Sequence, residues 1–142
     1  MEFLGKWKIN SIMMYDANYT CVYVTPEKYV ELIPSYIDSA DEAAVAKEKL
    51  QRRMNMDTII SIEDNNRINY LVPDTEEYRA LIGETDANKV ADGYIIVDSI
   101  EWKLVEGELY YDTQLGMMAN PFKKAFDEKG RLNINDTEYV RI

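Results

Sequence analysis

The sequence predicts a mainly β protein, an antiparallel up-and-down barrel of about eight strands with a helical pair inserted after the first strand and short extra helices. Three features carry this. Residues 3–15 alternate: Phe3, Trp7, Ile9, Met13 and Tyr15 are apolar or aromatic, while Lys6, Lys8 and Asn10 are polar. That is the pattern of a strand with one buried and one wet face. Further alternating segments follow, joined by short turns. The first and last segments both read as full strands, so pairing them would close the sheet and remove its edges.

The elements follow in order. Asp16-Ala17-Asn18 is a bend, and Tyr19 to Val24 is rich in β-formers, continuing or pairing with the first strand. Thr25-Pro26 starts a helix, with a capping hydroxyl and proline at the first helical position, and Pro34 breaks it. Ser39-Ala40-Asp41-Glu42 reads as a capping box opening a second helix with a narrow stripe of Ala43, Ala46, Leu50 and Met54. Residues 26–54 are thus a helical insertion. Residues 58–63 and 68–72 form a hairpin around Asp64-Asn65-Asn66. Asp74 to Ile82 is a third short helix stopped by Gly83, and 84–92 a polar loop. Tyr94 to Val105 is one long strand, with Tyr94, Ile96, Asp98, Ile100, Trp102 and Leu104 on one face. Glu106-Gly107 turns into 108–113. Asn120-Pro121 opens a short helical turn from Phe122 to Phe126, and Asn135-Asp136 joins the last two strands.

Composition bounds the function. The 142 residues suit a single domain, 1–142, and an apolar fraction of 46% with 30% charged residues is that of a globular chain. A net charge of −10 argues against a nucleic-acid footprint and against attraction to anionic lipid. Cys21 is the only cysteine, which precludes an intrachain disulfide and suits a reducing compartment. No signal peptide is visible, and no apolar run approaches the ~20 residues of a membrane span, so the expected location is cytoplasmic without stable membrane insertion. The absence of histidine removes His-based triads, His-ligated zinc and a proximal-His haem site. Carboxylates show no catalytic spacing, glycines form no phosphate-cradling loop, and Cys21 has no histidine to activate it. The expectation is therefore a non-enzyme with no cofactor and no metal.

The Phe3-Leu4-Gly5-Lys6-Trp7 opening resembles the first strand of lipocalins and intracellular fatty-acid-binding proteins, whose barrels begin with a Gly-x-Trp signature. The resemblance implies a lipocalin-like barrel. Fatty-acid-binding proteins carry two helices after their first strand as a lid, where this chain has residues 26–54. Their last strand carries an Arg-x-Tyr pair on the ligand carboxylate, and Tyr139-Val140-Arg141 repeats those residue types in reverse. In lipocalins a basic residue of the last strand packs across the opening tryptophan, which the resemblance assigns to Arg141 and Trp7. The insertions at 74–82 and 116–129 belong to neither plan, and the lipocalin Thr-Asp-Tyr motif is absent.

The expected function is binding of a small apolar or amphipathic molecule inside the barrel. The alternative is a protein-interaction module with a packed barrel. The candidate ligand-binding residues are Trp7, Tyr15, Tyr70, Tyr94, Asp98, Trp102, Tyr111, Tyr139 and Arg141. Tyrosines pair a packing ring with an orienting hydroxyl. Asp98, if inward, needs a partner such as Arg141 or a tyrosine, unless a bulge near Asp98-Ser99 turns it out. Leu132, Ile134, Tyr139 and Arg141 are expected on one face of the final hairpin, leaving Arg141 either to stack on Trp7 or to meet an anionic ligand.

Overall fold

The computed structural model describes residues 2–34, 36–83 and 89–142. The first strand, β1 (Gly5–Tyr15), is followed by β2 (Cys21–Val24), then helices α1 (Pro26–Glu31) and α2 (Glu42–Asp57). A hairpin of β3 (Ile59–Ile62) and β4 (Arg67–Pro73) leads to α3 (Glu76–Ile82) and β5 (Lys89–Ala91). The chain finishes with β6 (Tyr94–Val105), β7 (Glu108–Asp112), β8 (Phe122–Lys124), β9 (Leu132–Ile134) and β10 (Thr137–Arg141).

The strands form one antiparallel sheet in the order β8-β7-β6-β4-β3-β1-β10-β9, with β2 added to β1 and β5 to β6. The first and last strands pair as expected, Trp7 opposite Arg141 and Ile9 opposite Tyr139. On its other edge β1 holds β3 from Gly5 to Lys8 and β2 from Ile12 to Tyr15. Residues 21–24 are therefore a separate strand. The expected closure is not reached, and the sheet curls into an open half-barrel. Among the described residues its edges β8 and β9 meet only at the bridge Phe126↔Leu132 and a bond from Asn133 N–H to the Ala125 carbonyl at 2.7 Å.

Two bulges alter the expected alternation. Ile9 pairs with Tyr139 and Ser11 with Glu138, so Asn10 is the extra residue. Beyond it the odd positions of β1 change face, because side chains alternate with a period of two. The second bulge is Val97, since Tyr70 faces Asp98 and Leu71 faces Ile96. Asp98 therefore shares a face with Ile100 and Trp102 but not with Ile96 or Tyr94, against the sequence expectation.

The core joins the inner faces: Ile60, Ile62, Ile68, Trp102, Tyr111 and Leu132 are all nearly inaccessible. A second cluster, Met54, Val72 and Tyr78, fixes α2 and α3 to the end of β4, two residues along the same face from Tyr70. Other local readings are corrected too. Residues 122–124 are a strand paired with β7 rather than a helical turn; Asn-Pro imitates a helix start. The cap of α2 is Asp41, accepting from Ala44 N–H, rather than Ser39. Ala43 and Ala46 are exposed, and the helix buries Met54 and Arg52 instead. Helix α1 stops at Glu31, three residues before Pro34. Of the expected polar loop, 84–88 lies outside the described residues, and 89–91 is β5.

Helix α1 buries no residue of its own. It is held by Arg52, which donates to the Tyr29 carbonyl at 2.9 Å, stacks on the Tyr29 ring at 4.4 Å and pairs with Glu48 at 3.0 Å. Removing one partner of such a buried group leaves the others unsatisfied. Arg52→Ala is expected to speed amide exchange in 26–31 by at least about tenfold while leaving β4 and β6 protected. Equal acceleration in the strands would show that α1 is not an independently opening unit.

Candidate functional site

The strand register collects four of the expected residues. Tyr70 on β4 stands between Ile60 and Asp98, and directly opposed residues share a face. Tyr139 on β10 faces Ile9 and belongs to the same core as Tyr111. The Tyr111 hydroxyl accepts the backbone N–H of Asn135 at 3.2 Å. Burial grades across the group, from exposed Asp98 through half-buried Tyr70 to Tyr139 at 6% exposure. Among the described residues no buried side-chain nitrogen or oxygen is left without a hydrogen-bond partner.

The electrostatics tie these groups together. Burial pushes the Tyr70 hydroxyl up to about 12, reinforced by the Asp98 carboxylate, opposed by the Asn135 amide and reinforced slightly by Tyr111. Burial also holds Tyr139 well above the usual phenol range, with Tyr70 adding to the effect. Both are neutral hydroxyls at neutral pH. Asn135, read from the sequence only as a turn residue, is thus part of the site. A buried tyrosine hydroxyl that needs a partner at the tip of the adjacent hairpin is the signal that could have pointed to it.

The remaining expected residues lie in other settings. The Arg141 guanidinium stacks on Trp7 at 4.4 Å, and its Nη1 donates to the Leu4 carbonyl. Trp7 donates to the Phe3 carbonyl at 2.9 Å and meets Phe126 edge-on at 6.1 Å. Of the two settings expected for Arg141, the geometry is that of the stacked one. Trp102 is buried, its indole N–H donating to the Glu63 carbonyl at 2.8 Å and its ring meeting Phe3 at 5.3 Å. Tyr15, past the Asn10 bulge, is 66% exposed. Tyr94, before the Val97 bulge, lies under the Lys6 ammonium at 5.4 Å.

The surface also carries grooves. One of about 510 Å³ runs between β1 and α1, lined by Lys8, Asn10, Thr25, Asp57 and Ile59 among others. It adjoins a groove of about 390 Å³ between α1 and α2. Neither contains an expected site residue. Among the described residues no group of three or more Cys, Asp or Glu side chains is arranged to hold a metal, and no helix is long and apolar enough to cross a membrane. No protein-family model, curated protein or solved structure matches this chain.

Two predictions follow from this geometry. Gly5 has φ +119°, and an added Cβ would lie 2.7 Å from Arg141 Nη1. In urea unfolding, Gly5→Ala is expected to cost about 2–3 kcal/mol from backbone strain and the displaced guanidinium. Arg141 is exposed, so Arg141→Met is expected to cost about 0.5–1 kcal/mol, and the double variant less than the two costs added, because each change disrupts the same stack. Strict additivity would refute that shared contact.

The second prediction concerns alkaline pH. In the unfolded chain tyrosine ionises near 10, whereas folded Tyr70 holds its proton to about 12. Above pH 10 the unfolded state binds fewer protons, so stability is full below pH 10 and falls as pH rises towards 12, by on the order of 2 kcal/mol from this residue. Tyr70→Phe should flatten that limb in denaturation midpoints measured from pH 8 to 12. An unchanged limb would mean that Tyr70 ionises as freely in the folded protein.

Proposed function

We propose that this lipocalin-like half-barrel binds a small apolar or amphipathic molecule against the tyrosine-bearing part of its inner face, with α1 and α2 as a cover. The observation that carries this reading is the group of tyrosines on the inner face, Tyr70 beside buried Tyr139 and Tyr111, with the Asp98 carboxylate opposite Tyr70. Aromatic rings with few placed polar groups are the usual lining of small-molecule sites. The reading is non-enzymatic and needs no cofactor.

A second reading, a protein-interaction module with a filled barrel, draws on a different observation. Ile60, Ile62, Ile68 and Leu132 leave almost no accessible surface, while Leu115, Met117 and Met118 project into solvent between β7 and β8. Under this reading that loop is the working surface.

A thermal-shift screen backed by native mass spectrometry, using acyl chains, alcohols, amines and bile acids, separates the two. Small-molecule binding predicts at least one saturable binder whose stabilisation falls at least about threefold in Tyr139→Phe. A binder insensitive to Tyr139→Phe, or no binder at high micromolar concentration, would overturn the assignment of this site.

A further inference from the structure

We infer that the polar end of the bound molecule is uncharged or cationic, an alcohol, amide or amine, and that carboxylates are selected against. This rests on the small-molecule reading of the tyrosine site and specifies its ligand class.

The charge arrangement around the two hydroxyls leads here. Asp98 is directly opposite Tyr70 on the neighbouring strand, so its carboxylate shares the Tyr70 face. Paired side chains on one face have Cβ atoms about 4.5–5.5 Å apart, close enough for the carboxylate to act on anything bound at the Tyr70 hydroxyl. The backbone N–H of Asn135 is already used by Tyr111. The cation best placed by register to balance Asp98 is Arg141, in the row Arg141, Trp7, Ile60, Tyr70, Asp98. That guanidinium is committed to the Trp7 ring and the Leu4 carbonyl. The ionisation behaviour agrees: Tyr70 feels Asp98, and among the described residues no cation contributes to the shift of Tyr70 or Tyr139.

A carboxylate bound there would give up its water beside another carboxylate, which is unfavourable on both counts. A neutral hydroxyl or amide can donate to one tyrosine oxygen and accept from the other hydroxyl. A protonated amine gains the Asp98 attraction as well. The reversed Tyr139-Val140-Arg141 segment thus supplies the tyrosine to the site without the arginine.

The test uses a chain-matched series, 1-decanol, decanamide, decylamine and decanoate, each displacing the neutral fluorophore Nile red from the wild-type protein at pH 7. Decanol and decanamide are expected to bind about tenfold tighter than decanoate, with decylamine at least equal to decanol. Asp98→Asn should shrink the decanol-to-decanoate gap to about threefold or less. Glu101→Gln removes one charge from the opposite face of the same strand and should leave the gap intact. Decanoate binding as tightly as decanol would overturn the inference while leaving the small-molecule reading standing. Equal narrowing by Glu101→Gln would also overturn it, by showing that net charge rather than Asp98 discriminates. Failure of all four compounds to displace the probe would remove the small-molecule reading, and this inference with it.

Discussion

The structure depends on the guanidinium of Arg141 wedged between the Trp7 ring and the backbone of Gly5. It joins the last strand to the first, β10 to β1, and β1 in turn carries β2 and β3 on its other edge. Only glycine suits the position, for two separate reasons. The backbone there is at φ +119°, and the space a Cβ would fill is occupied by Arg141 Nη1. The Trp7 ring and the Leu4 carbonyl then hold the charge that the wedge brings in. Aromatic face, carbonyl and missing side chain are three parts of one fixture.

Around that fixture the interior divides in two. One part is filled by isoleucines, leucines and Trp102 packed with almost no accessible surface. In the other, the rings of Tyr70, Tyr111 and Tyr139 take the same role but bring hydroxyls with them. The neighbouring cluster of Met54, Val72 and Tyr78 joins α2 and α3 to the end of β4, so Tyr70 stands where the two clusters meet. The face opposite the core is not uniformly wet either. Glu138 is buried there, accepting from Ser11 at 3.0 Å and paired with Arg131 at 3.3 Å.

Much of the fold was legible because its signals are local. The β6 strand runs from Tyr94 to Val105 as alternation predicts, and the final hairpin pairs Ile134 with Thr137 and Leu132 with Tyr139 as its two-residue loop dictates. That register left Arg141 two settings, and the stack on Trp7 is the one that the lipocalin resemblance implied. The bulges at Asn10 and Val97 were not legible. Ile12, Met13, Met14 and Tyr15 are all apolar, so a change of face there leaves no trace in the pattern, and Tyr15 was expected inside for that reason. Val97 hides among β-branched neighbours in the same way. β8 was missed because three residues are too few for a period to show. The open seam is a property of how far β8 and β9 reach, which no local pattern encodes. For the site, four residues came together where strand parity held, and Tyr15 and Tyr94 separated from them where a bulge intervened.

The pairing of β1 with β10 also has a consequence for the order of events in folding. The partners Trp7 and Arg141 are almost a whole chain length apart. Hairpins such as β3–β4 and β6–β7 can form from neighbouring residues, whereas one edge of β1 has nothing to bond to until residues 137–141 exist. Long-range pairings of this kind close late, because the entropy of the intervening loop is spent before the contact rewards it. During synthesis β1, which carries Trp7, is therefore made long before the strand that completes it. Its other edge can be covered earlier, by β2 from Ile12 to Tyr15 and by β3 from Gly5 to Lys8, so β1 is held on one side while the side that takes β10 stays open.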